Sequence, residues 1–292
     1  MTEILNIEKL LAFEIPATSD EYDPRDAILY ALGVGTGLSE QIDETHFLFE
    51  RGLQTLPTMA LVLGTPGFWP MDPSCGLDWL KILHGEQRLK VFEPIDSFGM
   101  LRGETKVTDI ADKGPGNPAL IRAVKQLKSL SGLLVAEATE VWVARGAGGF
   151  NGERNLPGDR LPPVPARDPD FEVILPTSPA QSAIYRLSGD RNPLHIDPET
   201  ARKAGFDRPI LHGLSTMGLI ARALIHACGG SIAQNLREIG MRFTAPVYPG
   251  ETIRTYIWQD ADRAHFRAEA AERNLCIVDH GLAKIRANLP AD

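Results

Sequence analysis

The chain predicts an α+β fold made of two similar halves, and three observations carry that prediction. Leu89-Lys-Val-Phe-Glu-Pro94 with Gly103-Glu-Thr105 reads as strand, proline break, turn and strand. Met241-Arg-Phe-Thr-Ala-Pro246 with Gly250-Glu-Thr252 repeats the pattern in the second half. Each is preceded by an apolar, helix-like segment, at about 53–63 and 213–228. Similarity on this scale points to duplication, and helices gathered on one face of antiparallel strands define the class. Between the halves, residues 145–169 are rich in Gly, Pro, Arg and Asp and cannot bury a core. The division expected is 1–150, a crossover over 151–170, and 171–292.

In the first half, 133–144 adds strand-like sequence after Thr105. Gly33-Val-Gly-Thr-Gly37 lacks the spacing and the preceding strand of a dinucleotide loop and is discounted. In the second half, Ser178-Pro179 has the order of an N-cap and first helical residue, predicting a short helix to about 187. Asp197-Pro198 is another such start, with Gly205 as its stop. Leu214, Met217, Ala221, Leu224, Ile225 and Cys228 fall at helical spacing. Gly218, Ala221, Ala223 and Ala227 on that helix would let a sheet approach closely. Strands are expected again at 264–270 and 275–288.

The 292 residues are 43% hydrophobic and 23% charged, ordinary for a globular protein. A net charge of −8 argues against a nucleic-acid partner, since phosphate binding needs concentrated Lys and Arg. An anionic small ligand would need a local basic patch. Cys75, Cys228 and Cys276 are odd in number and far apart, which favours neither a zinc site nor a disulfide framework. No apolar run reaches bilayer length, and neither a secretory start nor a terminal targeting tripeptide is read, so the expected location is the cytoplasm.

The most informative stretch is Tyr185-Arg-Leu-Ser-Gly-Asp-Arg-Asn-Pro-Leu-His-Ile-Asp197. It sets Asp190 five residues before His195, with the turn signal Asn192-Pro193 between them. A turn there can fold the imidazole towards the carboxylate, and two proton-transfer groups facing one point suit general acid/base chemistry. For a lone Asp or His, a polar turn satisfied locally is the commoner explanation, but the whole string is much more specific than that pair. Asp197 reads as a helix cap rather than a catalytic acid.

This string resembles the signature of the 2-enoyl-CoA hydratase 2 family, within the MaoC-like hydratases and dehydratases. The likeness continues through Ala204-Gly-Phe-Asp-Arg-Pro-Ile-Leu-His-Gly-Leu214, Arg242-Phe-Thr-Ala-Pro-Val-Tyr-Pro-Gly-Glu-Thr252, Leu83-His-Gly-Glu-Gln87 and Asp109-Ile-Ala-Asp-Lys-Gly114, covering nearly the whole chain. Within that family the chain resembles the hydratase unit of peroxisomal multifunctional enzyme type 2. The resemblance implies a double hot-dog: two antiparallel sheets, each wrapping a helix, joined side by side. It implies reversible syn hydration of trans-2-enoyl-CoA to (3R)-3-hydroxyacyl-CoA in fatty acid metabolism, with neither metal nor redox cofactor. Asp190 and His195 would hold the attacking water and shuttle its protons, and Asn192 would help position them. His84, Gly85 and Lys113 match ligand-contacting positions, the lysine towards CoA, and Phe243 matches an aromatic of the same site. Arg191, Pro193 and Leu194 belong to the motif and are expected near the substrate.

The chemistry agrees with these expectations. Adding water to a conjugated thioester builds charge on the thioester oxygen, which needs a preorganised donor. Gly213, at the start of the 213–228 helix, offers an N–H unpaired within the helix, at the positive end of the dipole. His212 beside it is read as structural. The first half lacks the Asp-x-Asn-Pro-x-His string, so one active site per chain is expected. A homodimer and a separate 3-hydroxyacyl-CoA dehydrogenase are the partners implied. Two other readings stand: a MaoC-like dehydratase of a branched, dicarboxylic or steroid-derived acyl-CoA, and a non-catalytic acyl-CoA binding subunit. A thioesterase is a weaker option.

Overall fold

A computed structural model describes residues 5–286. The first residues of the chain, the final Leu-Pro-Ala-Asp and the end of the strand expected to reach 288 lie outside that range. The first half runs α1 (Ile7–Ala12), β1 (Thr18–Tyr22), α2 (Pro24–Gly33), β2 (Ile82–Val91), β3 (Gly99–Asp112), β4 (Ala119–Ser129) and β5 (Leu134–Ala144). The second runs β6 (Phe171–Pro176), α3 (Gln181–Tyr185), α4 (Pro198–Lys203), α5 (Gly213–Cys228), β7 (Leu236–Phe243), β8 (Thr252–Asp260), β9 (Arg263–Ala270) and β10 (Leu275–Ile285).

All the strand pairs are antiparallel, in one sheet ordered β1-β3-β4-β5-β2-β7-β10-β9-β8-β6. From the central β2–β7 pair, each half reads outward in the same relative order. The duplication therefore extends to topology: this is a double hot-dog whose two sheets are continuous through β2–β7.

The helical layers differ between the halves. In the second half α5 is 16 residues long, and nearly all of it is buried against the sheet. Arg222 on this apolar helix donates to both oxygens of Glu44 at 2.7 and 2.6 Å, and to the Val34 carbonyl at 2.7 Å. A buried charge is tolerated only when paired and hydrogen-bonded in this way. In the first half, the segment expected to be helical at 53–63 forms only a five-residue 3-10 turn, Pro57–Leu61. Pro57 can begin such a turn but the segment does not propagate into an α-helix. The shorter element leaves room beneath the first sheet, where a cavity lies.

Local signals place the smaller elements. Asp197 caps α4 by accepting from the Glu199 and Thr200 amides, and Pro198 occupies the first helical position. Ser178 accepts from the Ala180 amide, but helical geometry begins at Gln181 rather than at Pro179. Gly33-Val-Gly-Thr-Gly37 ends α2 instead of following a strand, with Gly35 and Gly37 at positive φ. The crossover between β5 and β6 passes Leu161 into a buried position against Gly240.

Candidate active site

Gly189, at φ +130, ends a turn over Arg186–Ser188 and releases the chain into Asp190. The Asp190 carboxylate accepts from the Asn192 amide at 3.1 Å, and the Asn192 side chain accepts from the Leu194 amide at 3.0 Å. Pro193 then opens a 3-10 turn, Pro193–His195. This pair of side-chain caps folds the motif back on itself, as the Asn-Pro signal predicted.

His195 is buried at 8% exposure. Its Nδ1 lies 2.8 Å from the Ile210 carbonyl oxygen. A carbonyl only accepts, so Nδ1 carries the proton and Nε2 presents a lone pair. Burial pushes the pKa of His195 below the usual histidine value, against the opposite pull of Asp190 and the Ile210 carbonyl. The ring is therefore a neutral base near neutral pH.

His212 stacks on His195 with centroids 3.8 Å apart, and its Nε2 donates to the Asp190 main-chain carbonyl at 3.2 Å. It thus touches both members of the acid/base pair and sits at the N-cap of α5. Burial, and then His195, hold its pKa well below the usual value. Donor atoms of Asp190, His195 and His212 lie within 4.8 Å of one another, a spacing that could also hold a metal ion. Each ring spends one nitrogen on a protein carbonyl and keeps the other free.

A cavity of about 310 Å³ opens onto these groups. Asp190, Asn192, Leu194, His195, Gly213, His84 and Phe243 all line it. The Gly213 amide, first in α5, has no acceptor among the described residues, and Phe243 packs against it: a Cβ on Gly213 would meet Phe243 Cζ at 3.3 Å. Phe243 also meets the His84 ring edge-on at 5.0 Å. The His84 Nε2 is buried without a partner, and burial takes its pKa down to about 4.

Gly85 stands off the cavity wall. It lies in a β-bulge between His84 and Glu86, where a Cβ would meet Val143 Cγ2 at 2.8 Å. The bulge re-aims His84, so the glycine acts through backbone shape. Pro193 initiates its turn without lining the cavity, and Arg191 is exposed to solvent.

Lys113 is not at the cavity. Its Nζ donates to the Arg154 carbonyl at 2.6 Å and the Asn155 side chain at 3.3 Å. It lines a second groove with Arg88, Arg122, Arg160 and Arg242, roofed by the crossover segment. Glu86 and Asp159 line the groove too, and Arg88, Arg242 and Arg122 pair with Glu86 and Asp109, so its excess of positive charge is smaller than the count of cations. Sequence reasoning passed over Gln87, Thr105, Lys125 and Glu140, which also line the cavity. They stand on strands β2 to β5, and only the register of those strands shows that they face inward.

Comparison with known proteins agrees with this architecture. Residues 21–146 match the model of the MFE-2 hydratase 2 N-terminal domain, and residues 161–279 that of the MaoC like domain. The chain is 43% identical to 3-hydroxyacyl-thioester dehydratase Y of Mycobacterium tuberculosis, over 86% of this chain and 87% of that one. It is 36% identical to Enoyl-CoA hydratase ChsH3 of the same organism, over 97% and 99%. Peroxisomal multifunctional enzyme type 2 of Mus musculus is 36% identical over 91% of this chain, which spans only 37% of that longer protein. A solved MaoC-like dehydratase from Phytophthora capsici superposes with a TM-score of 0.83 at 35% identity, covering 98% of this chain and all of that one. With both halves matched and relatives aligned end to end, the chain belongs to the MaoC-like hydratase 2 family.

Proposed function

We propose that this chain is an (R)-specific 2-enoyl-CoA hydratase acting in fatty acid metabolism. The observation that carries the reading is the convergence of Asp190, the His195 Nε2 lone pair and the free Gly213 amide on one cavity. Water held by Asp190 and His195 attacks C3 as His195 Nε2 takes one of its protons. The C2=C3 electron pair moves onto the thioester oxygen, where the Gly213 amide and the α5 dipole stabilise it. The Asp190/His195 pair then returns a proton to C2 on the face of attack, and the product is the (3R)-3-hydroxyacyl thioester. Asp190 stabilises the transient imidazolium.

His84 and Phe243 border the acyl thioester in this reading, and the basic groove around Lys113 takes the phosphates of CoA. Neither metal nor redox cofactor is part of the mechanism. The relatives' names, enoyl-CoA hydratase and 3-hydroxyacyl-thioester dehydratase, describe one reaction in its two directions. None of the described helices is long and apolar enough to cross a membrane. A cytoplasmic homodimer that hands its product to a separate 3-hydroxyacyl-CoA dehydrogenase completes the proposal. Purified protein mixed with crotonyl-CoA tests the reading: absorbance of the conjugated thioester falls if it is a hydratase and persists if the chain only binds acyl-CoA.

A further inference from the structure

The inner wall of the cavity is mostly aromatic and aliphatic, through Phe68, Trp69, Ile82, Leu83 and Trp142. One corner breaks that pattern. Glu140 on β5 lies across from Gln87 on β2, and Lys125 on β4 lies across from Thr105 on β3; all four line the cavity. A plain alkyl chain gains nothing from a carboxyl, an amide and an ammonium in its pocket, and each is costly to bury without partners.

The partners are unequally shared. Lys125 Nζ is saturated: it lies within 2.7–2.9 Å of the Ala60, Leu61 and Leu63 carbonyls and Thr65 Oγ1. It pins the 3-10 segment that stands where the first half lacks a long helix. Gln87 spends its amide nitrogen on the Arg88 and Thr139 carbonyls, at 3.0 and 3.2 Å. The Glu140 carboxyl forms no ion pair within 4 Å among the described residues; the Trp142 side chain donates to it, and its remaining lone pairs face the void. The unspent capacity of this corner is therefore acceptor capacity.

We propose that Glu140 selects acyl chains carrying a hydroxyl group, which donates to the Glu140 carboxyl. This rests on the acyl-CoA reading above and goes further, to the class of acyl group. A second carboxylate on the chain would face Asp190 and Glu140, with the one nearby cation already saturated. An ammonium group would face Lys125. A neutral hydroxyl meets neither repulsion, and it can donate to the carboxylate or accept from the carboxylic acid. Both forms are accessible, since burial raises the Glu140 pKa to about 7 against the pull of Lys125.

The test uses unreactive saturated acyl-CoAs of one chain length, plain or hydroxylated at successive carbons, with affinity measured by calorimetry. The same tail series on trans-2-enoyl-CoAs gives kcat/KM. The wild type should favour one hydroxyl position by about tenfold, the value of one hydrogen bond to a charged group. Glu140→Gln should keep part of that preference, and Glu140→Leu should abolish or reverse it. The inference is overturned if the wild type favours no hydroxyl position, or if Glu140→Leu leaves the preference ratio unchanged. Binding reads this independently of turnover, so failure of crotonyl-CoA hydration would reject the hydratase reading while leaving this one to its own result.

Discussion

At the residue scale, the proposed chemistry divides its labour between Asp190 and His195. Asp190→Asn and His195→Gln should each lower kcat by about 10²–10⁴-fold, the usual size of a general acid/base contribution. Circular dichroism should remain that of the folded protein. The pH profile follows from the burial of His195. Its pKa is lowered, and the base must be neutral, so activity should be full at neutral pH and fall only below the ordinary histidine range. A kcat/KM profile with its acid limb at or above pH 6.5 would contradict that environment for His195. These residues were legible in the sequence because they sit in one contiguous turn whose caps are local. His212 was legible only as a neighbour of Gly213. Its stacking on His195 depends on the entry angle of α5, which no local signal encodes. Lys125 and Glu140 were passed over because a charged residue in an alternating strand reads as an outward one until its register is known.

At the scale of elements, two features position the site. The first is the bulge at Gly85. Gly85→Ala would drive a Cβ against Val143 and the Val141 carbonyl, straightening the bulge or displacing β5. Because His84 is aimed by that bulge, we expect a rise in KM for enoyl-CoA and a loss of about 1–3 kcal/mol in unfolding free energy, typical of forced overpacking. Denaturant titration and steady-state kinetics check both. The second is the anchorage of α5, whose Arg222 reaches across to Glu44 in the first half. Arg222→Met leaves a buried carboxylate unpaired and should cost about 3–5 kcal/mol in urea unfolding. The long helix α5 and its glycine start were readable from spacing. The 53–63 segment was not, because apolar content there reflects burial around a cavity rather than a helical face. β4 had no expected counterpart, although Ala119, Ile121, Ala123 and Leu127 alternate, because Lys125 stands in the buried series.

At the scale of the molecule, duplication supplied the frame and asymmetry supplied the site. The second half keeps its long helix and the acid/base motif, while the first contributes the cavity wall. Among its cavity-lining residues are His84, Lys125 and Glu140. Burial leaves a pH signature on stability as well. His84, His195 and His212 all have pKa values below the ordinary 6.5, His84 at about 4. Through these three histidines the unfolded chain binds more protons than the folded one below pH 6.5, and they outnumber Glu140, whose raised pKa of about 7 acts in the opposite sense. The histidine contribution to stability should be full above pH 6.5 and be lost as the pH drops towards 4. Melting temperature measured across that interval checks the sign; a rise on acidification would contradict it. The central claim is that water is added to an enoyl-CoA at the Asp190–His195–Gly213 site with one stereochemical outcome. Chiral analysis of the product formed from crotonyl-CoA tests it most directly. The expected product is (3R)-3-hydroxybutyryl-CoA, formed by the wild type and nearly absent with His195→Gln; a (3S) product, or undiminished turnover by that variant, would overturn this mechanism.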